Sequence, residues 1–450
     1  MLIRFTAENY RSINEEIVFS LLPGKTQQKA HHIITHPKSG IETLRIALLY
    51  GANASGKSNI ILAMEFAKDF ILKGVRPKAS IPLEPFRLEK KRSQQPSRFE
   101  FEFIIDEQAY GYGFVADRQR VHEEWLYALD AKTESPVFER QTTSNGIVNA
   151  KFNHDQSIVQ EEPQFLQFVT RGTRPNQLLL TSLIENNVQF VNTIYEWFHE
   201  SLTIIFPESY ATGIQVGIYK DKKFKQELES FLKRMNTGIG EVCTKPVSPY
   251  TIDFPKEVIE DALNELTSND KSSTKDKNVD EIIVINGSGG RYFLLLNEAN
   301  EIEAYSLSTR RFVSDESIDF DMFEESDGTQ RLFDLFPILY DTENKVFVVD
   351  ELERSLHPNL VRNFLSNVLE TTNNNQLIVT THESTLLDLS LLRRDEIWFT
   401  EKSPSGASSL YSLEDFKPRH DLDIRKGYLQ GRFGAIPVFG SSLKPNFIEE

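Results

Sequence analysis

The pattern of apolar and polar positions changes character along the chain, and each regime predicts a different kind of element. Residues 2 to 9 and 16 to 22 read as strands, separated by the turn-like stretch Asn9-Tyr10-Arg11-Ser12-Ile13-Asn14. A short apolar run, Ile46-Ala47-Leu48-Leu49, gives way to a helical pattern through Ile60, Ile61, Met64 and Phe66. After the polar stretch Lys90 to Ser97 the period becomes two. Phe99, Phe101, Phe103 and Ile105 share one face, with Glu100 and Glu102 on the other, which predicts a half-buried antiparallel strand. Tyr110, Tyr112 and Phe114 mark its hairpin partner across Asp106-Glu107-Gln108, and Val121 to Leu129 continue the meander. With acids between them, these aromatics read as core packing and not as a base-stacking platform.

From Gln164 to Phe206 the pattern is helical, and Phe224 to Met235 and Val258 to Leu266 are further helices. The run Ser268 to Lys277 is polar enough to predict a mobile loop, and no heptads are sustained, so the middle of the chain reads as a compact insertion. The last third turns to continuous apolar runs: Val346 to Val349 ending in Asp350-Glu351, Leu377 to Thr380 ending in Thr381-His382, and Glu396 to Phe399. Runs of that kind suit parallel strands covered on both faces. The expected fold class is therefore α/β, with an antiparallel meander and a parallel core in 1–164 and 316–450, and a mostly helical insertion over 165–315.

Composition narrows the function classes. A net charge of −16 disfavours a uniformly basic nucleic-acid-binding surface, while leaving room for a local basic groove. The single cysteine, Cys243, excludes an internal disulfide framework, and no grouped Cys or His spacing suggests zinc. Arg4, Glu8, Arg11, Glu15 and Glu16 punctuate the first thirty residues and no run of eighteen apolar residues occurs, so the reading is a cytoplasmic protein without a signal peptide or membrane span.

The chemistry is carried by Gly51-Ala52-Asn53-Ala54-Ser55-Gly56-Lys57-Ser58-Asn59, which has the Gly-x-x-x-x-Gly-Lys-Ser pattern in the strand–loop–helix setting of a P-loop. Gly51 and Gly56 let the backbone curl so that amide N–H groups and a helix N-terminus face phosphates, Lys57 adds a point charge, and Ser58 offers a hydroxyl to Mg²⁺. Asp350, at the tip of an apolar strand, is placed to share that Mg²⁺, and Glu351 to polarise an attacking water. His382, thirty-two residues beyond Asp350, ends the next apolar run and is expected at the same sheet edge, within reach of the γ-phosphate or the water. Glu325-Ser326-Asp327-Gly328-Thr329-Gln330-Arg331 precedes the apolar helix Leu332 to Leu339; Ser326 or Asp327 can cap it, and with Gly328 the helix N-terminus offers an anion a hydroxyl and close backbone.

Taken in order, P-loop, Ser-x-Gly-x-Gln, strand-Asp-Glu and strand-Thr-His resemble the ABC-type ATPase head of the SMC, RecF and OLD-like proteins. The resemblance implies ATP hydrolysis to ADP and phosphate, and a head-to-head dimer with ATP and Mg²⁺ between the P-loop of one subunit and the Ser-x-Gly signature of another. It carries over Gly51, Gly56, Lys57 and Ser58 as Walker A, Ser326, Gly328 and Gln330 as signature, Asp350 and Glu351 as Walker B, and His382 as switch. Asn53, Ser55 and Asn59 join the nucleotide-binding set, and Glu353 to Pro358 falls where the family has its subunit-contacting D-loop. The signature departs from the family pattern, reading Ser-Asp-Gly-Thr-Gln, and the Q-loop glutamine is unassigned, with Gln177 as candidate. Asn9-Tyr10-Arg11-Ser12-Ile13, the signature and Tyr428-Leu429-Gln430-Gly431-Arg432-Phe433-Gly434-Ala435-Ile436-Pro437 are similar to stand-alone RloA-like and abortive-infection ATPases of phage-defence operons. That likeness implies a separately encoded, nuclease-like effector as partner. Two other readings remain open: a repair-type ATPase clamping DNA between its heads, and a nucleotide-bound scaffold that hardly turns over. Asp421-Leu422-Asp423 has the spacing of a metal pair but follows no clear strand, which counts against a fused nuclease.

Overall fold

The computed structural model describes residues 1–436 apart from 26–27, 131–132, 155–157, 212–213, 253, 268–281, 288–289, 297–300, 341–342, 372–373 and 418–421. The loop expected over Ser268 to Lys277, Asp421 and Pro437 lie outside the described residues. The chain opens with β1 (Leu2–Glu8), β2 (Ile17–Ser20), β3 (Ile33–His36), β4 (Ile41–Leu44) and β5 (Ile46–Tyr50), then α1 (Lys57–Lys73). β6 (Ser97–Ile105), β7 (Gln108–Ala116), β8 (Val121–Leu129), β9 (Glu134–Thr142) and β10 (Val148–Phe152) follow, with α2 (Pro163–Gly172), α3 (Leu179–Glu185), α4 (Asn192–Glu196) and β11 (Leu202–Ile205). Next come α5 (Ile214–Lys220), α6 (Lys222–Arg234), β12 (Glu241–Val247), α7 (Lys256–Thr267), β13 (Ile282–Gly287), β14 (Gly290–Leu296), β15 (Ile302–Val313), β16 (Glu316–Asp321) and α8 (Asp327–Leu335). β17 (Val346–Val349), α9 (Pro358–Glu370), β18 (Gln376–Thr381), β19 (Ile397–Lys402), β20 (Ser408–Ser412) and α10 (Ile424–Leu429) complete it.

These elements form two compact units, one of residues 1–206, 343–353 and 372–450, the other of 207–342 and 354–371. In the first unit an antiparallel sheet runs β10-β9-β8-β7-β6-β1-β2, and a second sheet runs β11-β17-β18-β5-β19-β20. The expected hairpin is there in register, with Phe99 opposite Phe114, Phe101 opposite Tyr112 and Phe103 opposite Tyr110. The second sheet has the expected parallel core, β17–β18–β5–β19, and β17, β18 and β5 are buried along their whole length, with apolar centres, because they are covered on both faces. Helix α1 shares one core with both sheets, through Ile60, Met64, Ala67 and Phe70 against Phe99, Phe114 and Val348. Buried Gln376 ties the sheets together: its amide donates to Leu2 O (2.9 Å) and Leu44 O (3.0 Å), and its oxygen accepts from Leu2 N (2.6 Å).

Two expectations are corrected. The helical stretch to Phe206 ends in a strand, β11, which pairs in parallel with β17; four residues are too few to show a period against the helices before them. In the region 165–315 helix exceeds strand, but the region is not helical alone. It includes the second unit's sheet, in the order β12-β15-β14-β13 with β16 also paired to β15. Ile282 to Ile285 and Tyr292 to Leu296 carried that signal as β-branched and aromatic runs. Pro246 is compatible with β12 because β12 is an edge strand.

Candidate functional site

The loop Gly51–Gly56 joins β5 to α1, and its shape is fixed by what lies beneath it. A Cβ on Gly51 would lie 2.4 Å from Thr400 Oγ1 and 2.6 Å from Thr400 O, so the backbone passes where no side chain fits. Gly56 has φ +112°, and a Cβ there would meet Ser408 Oγ at 2.1 Å. A net of hydroxyls supports the loop. Ser55 Oγ pairs with Thr400 Oγ1 (2.7 Å), Ser408 Oγ donates to Ser55 O (2.7 Å) and pairs with Ser12 Oγ (2.8 Å), and Asn59 Nδ2 donates to Ser12 Oγ (2.6 Å). Of the residues expected to touch nucleotide, Ser55 and Asn59 therefore have their side chains turned to this support, while Asn53 is exposed. Helix α1 begins at Gly56 with no side-chain cap, leaving the backbone N–H groups of its first turn without the partner a capping side chain would supply.

Three adjacent strands, β17, β18 and β5, deliver Lys57, Ser58, Asp350, Glu351 and His382 to the same sheet edge. Ser58 Oγ donates to Asp350 Oδ1 (3.2 Å), and the same oxygen accepts the hydroxyl of Thr380. Glu351 follows with φ +49°, its N–H given to Thr380 Oγ1 (2.8 Å). Lys57 Nζ reaches Gly51 O (2.8 Å), Ala52 O (3.2 Å) and His382 Nε2 (3.0 Å). The His382 N–H donates to Glu353 Oε1 (2.5 Å), which joins the loop after β18 to the loop after β17. Burial pulls the Lys57 ammonium down to about 8, against the opposing pull of Glu353, Asp350 and Glu351. Burial, and then the Lys57 charge, lower His382 too, so its Nε2 can accept from Lys57 as a neutral imidazole. A cavity of about 890 Å³ opens beside the loop, lined by Gly51 to Ser55, His382 and Tyr428.

An uncapped helix N-terminus, a lysine and a hydroxyl–carboxylate pair fit a phosphate ester with a hard cation. Ser58 and Asp350 supply two oxygen ligands, and such cations complete their shell with phosphate oxygens and water. Among the described residues no group of three or more His, Cys, Asp or Glu could hold a metal ion by itself.

The second unit holds the Ser-x-Gly element. Ser326 caps α8, its Oγ accepting from Thr329 N (3.2 Å), as the cap reading expected. Gly328 is required by packing, because a Cβ would sit 2.6 Å from Ser355 O, and Gln330 Nε2 donates to Glu325 O (3.1 Å). Gln177 donates to Glu185 (2.8 Å), an attachment unrelated to the loop. Asp423 caps α10 through Lys426 N (2.8 Å). The positions of Thr380, Ser12, Thr400 and Ser408 around the loop and the acids were missed, since a lone hydroxyl carries no motif, and Glu353, expected only as part of a D-loop, also holds the His382 N–H.

Residues 46–388 match the family described as "AAA domain, putative AbiEii toxin, Type IV TA system". The chain belongs to that family. As a member of this AAA family it has an ATPase-type domain, and the matched span contains Lys57, Ser58, Ser326, Gly328, Asp350, Glu351 and His382, while the supporting Ser12, Thr400 and Ser408 lie outside it. No curated protein matches the sequence. Among solved structures, the SMC head domain from Thermotoga maritima is similar at 12% identity, covering 91% of this chain and 98% of that one, with a TM-score of 0.36. An SMC head bound to the C-winged helix domain of ScpA is similar at 13% identity over 93% and 99%, with a TM-score of 0.38. The Smc head with an extended coiled coil, bound to the C-terminal domain of ScpA derived from Pyrococcus furiosus, shares 12% identity over 93% and 99%, with a TM-score of 0.34. Among the described residues no helix is long and apolar enough to cross a membrane.

Proposed function

We propose that this member of the AAA family is an ATP-hydrolysing switch that is completed by a second copy of itself and controls a separately encoded effector in anti-phage defence. One observation carries the hydrolytic part: Lys57, Ser58, Asp350, Glu351 and His382 converge at the ends of three neighbouring parallel strands, where open α/β sheets take their ligands. The N-terminus of α1 and Lys57 hold the phosphates, which draws Lys57 away from His382. Ser58 and Asp350 would hold Mg²⁺, which when bound would supply positive charge against the phosphate oxygens. Glu351 takes the proton of the attacking water, and His382, released by Lys57, faces the terminal phosphate. Ser326 and the exposed N-terminus of α8 close over the nucleotide of the other copy. The toxin–antitoxin wording of the family description supports a role alongside a partner protein.

Glu351→Gln tests this. Turnover of ATP should fall by roughly 10²–10⁴-fold, the usual worth of a general base, with ATP retained and the dimer favoured. The same locked variant, co-expressed with the product of the neighbouring gene, should hold or release that product differently from the parent. Hydrolysis at the parental rate would remove Glu351 from the mechanism.

A further inference from the structure

The hydroxyl of Thr380 has a geometry that the motif reading does not use. Thr380 is fully buried on β18, between β17 and β5, where valine would fit the apolar surroundings as well. Its Oγ1 accepts the N–H of Glu351 (2.8 Å), so its single proton is left to donate, and it points at Asp350 Oδ1. The backbone oxygen of the same residue accepts from Leu352 N (3.1 Å). One side chain and its own carbonyl thus hold three consecutive residues after β17, including Glu351 in the left-handed region at φ +49°, a conformation that costs a non-glycine residue about 1 kcal/mol or more. With Oδ1 of Asp350 already accepting from Thr380 and Ser58, the rotation of that carboxylate is set from two sides.

We propose that Thr380 is a positioning residue that orients two acids at once, aiming Asp350 at the cation and Glu351 at the water, through the proton and the lone pair of one hydroxyl. This rests on the nucleotide reading above. The donor direction is forced: a carboxylate offers no proton, and the backbone N–H of Glu351 offers no lone pair. A valine would keep the strand and the packing and lose both links. Outer-shell partners of this kind are commonly worth 10–100-fold in metal affinity or activity.

The experiment compares the full-length protein with Thr380→Val, Thr380→Ala and Thr380→Ser. Binding of a fluorescent ATP analogue is measured in EDTA and across a Mg²⁺ titration, alongside ATP turnover. The parent must hydrolyse ATP; if it does not, the proposed function fails and not this inference. For valine and alanine the expected result is unchanged binding in EDTA, a Mg²⁺ midpoint raised about 10-fold or more, and turnover down by about 10–100-fold. Serine, which keeps the hydroxyl, should stay within about 3-fold of the parent. Retained binding in EDTA shows that a variant is folded, and alanine, being smaller, serves if valine overpacks. A parental Mg²⁺ midpoint in valine and alanine, or a serine variant as impaired as they are, would overturn the assignment.

Discussion

Gly51 and Gly56 show how much of a phosphate loop is determined by what lies under it. Neither glycine needs a ligand to explain it: Thr400 fills the space beside one, and Ser408 the space beside the other, where φ is +112°. Gly56→Ala adds an overpacking penalty of about 1–3 kcal/mol to a left-handed penalty of about 1 kcal/mol. A loss of about 2–4 kcal/mol in urea denaturation is expected, in the absence of any nucleotide; a loss under 0.5 kcal/mol would mean that Ser408 moves aside freely. The glycines, Lys57, Ser58, Asp350 and Glu351 were legible because a motif preserves spacing. Ser12, Thr400 and Ser408 were not, for they reach the loop from positions up to 353 residues away, and nothing local in the sequence records that. His382 was found at its expected edge, but its contact with Lys57 follows from distances that no pattern supplies.

At the scale of elements, α8 is anchored to its own sheet at both ends. Glu325, just before the cap, accepts two bonds from Arg311 (2.6 and 2.7 Å), and near the other end Asp334 takes a bidentate pair from buried Arg291 on β14 (2.8 and 2.9 Å). Burial pushes the Asp334 carboxyl up, opposed by Arg291 and by the N–H of Ala211. Removing one partner of such a pair leaves a buried charge, so Arg291→Met should destabilise the second unit by about 3–5 kcal/mol, and adding Asp334→Leu should restore most of that. The check is chemical denaturation followed by a probe in this unit; equal stability of single and double variants would show that the pair is not what holds α8. The start of α8 was legible from Ser326, whereas its sheet was not. β12 carries a proline and the residues between α7 and β13 are polar, so the helical signals of α6 and α7 outweighed the β-branched and aromatic runs of β13 and β14.

For the whole molecule, the sequence order of P-loop, Ser-x-Gly, Asp-Glu and His pointed to the α/β class and to the sheet edge where the acids and lysine gather. The structure distributes them between units: Lys57, Asp350, Glu351 and His382 in one, Ser326 and Gly328 in the other. The central claim is that one copy's Ser326 completes another copy's Lys57 site. Mixing two inactive variants, Lys57→Ala and Ser326→Arg, tests it most directly. In a mixed dimer one site has both defects and the other has neither, so an equimolar mixture should recover about a quarter of parental ATP turnover, half the dimers being mixed and each having one sound site. Turnover in the mixture no higher than the mean of the two variants alone, with exchange of subunits verified, would contradict the claim.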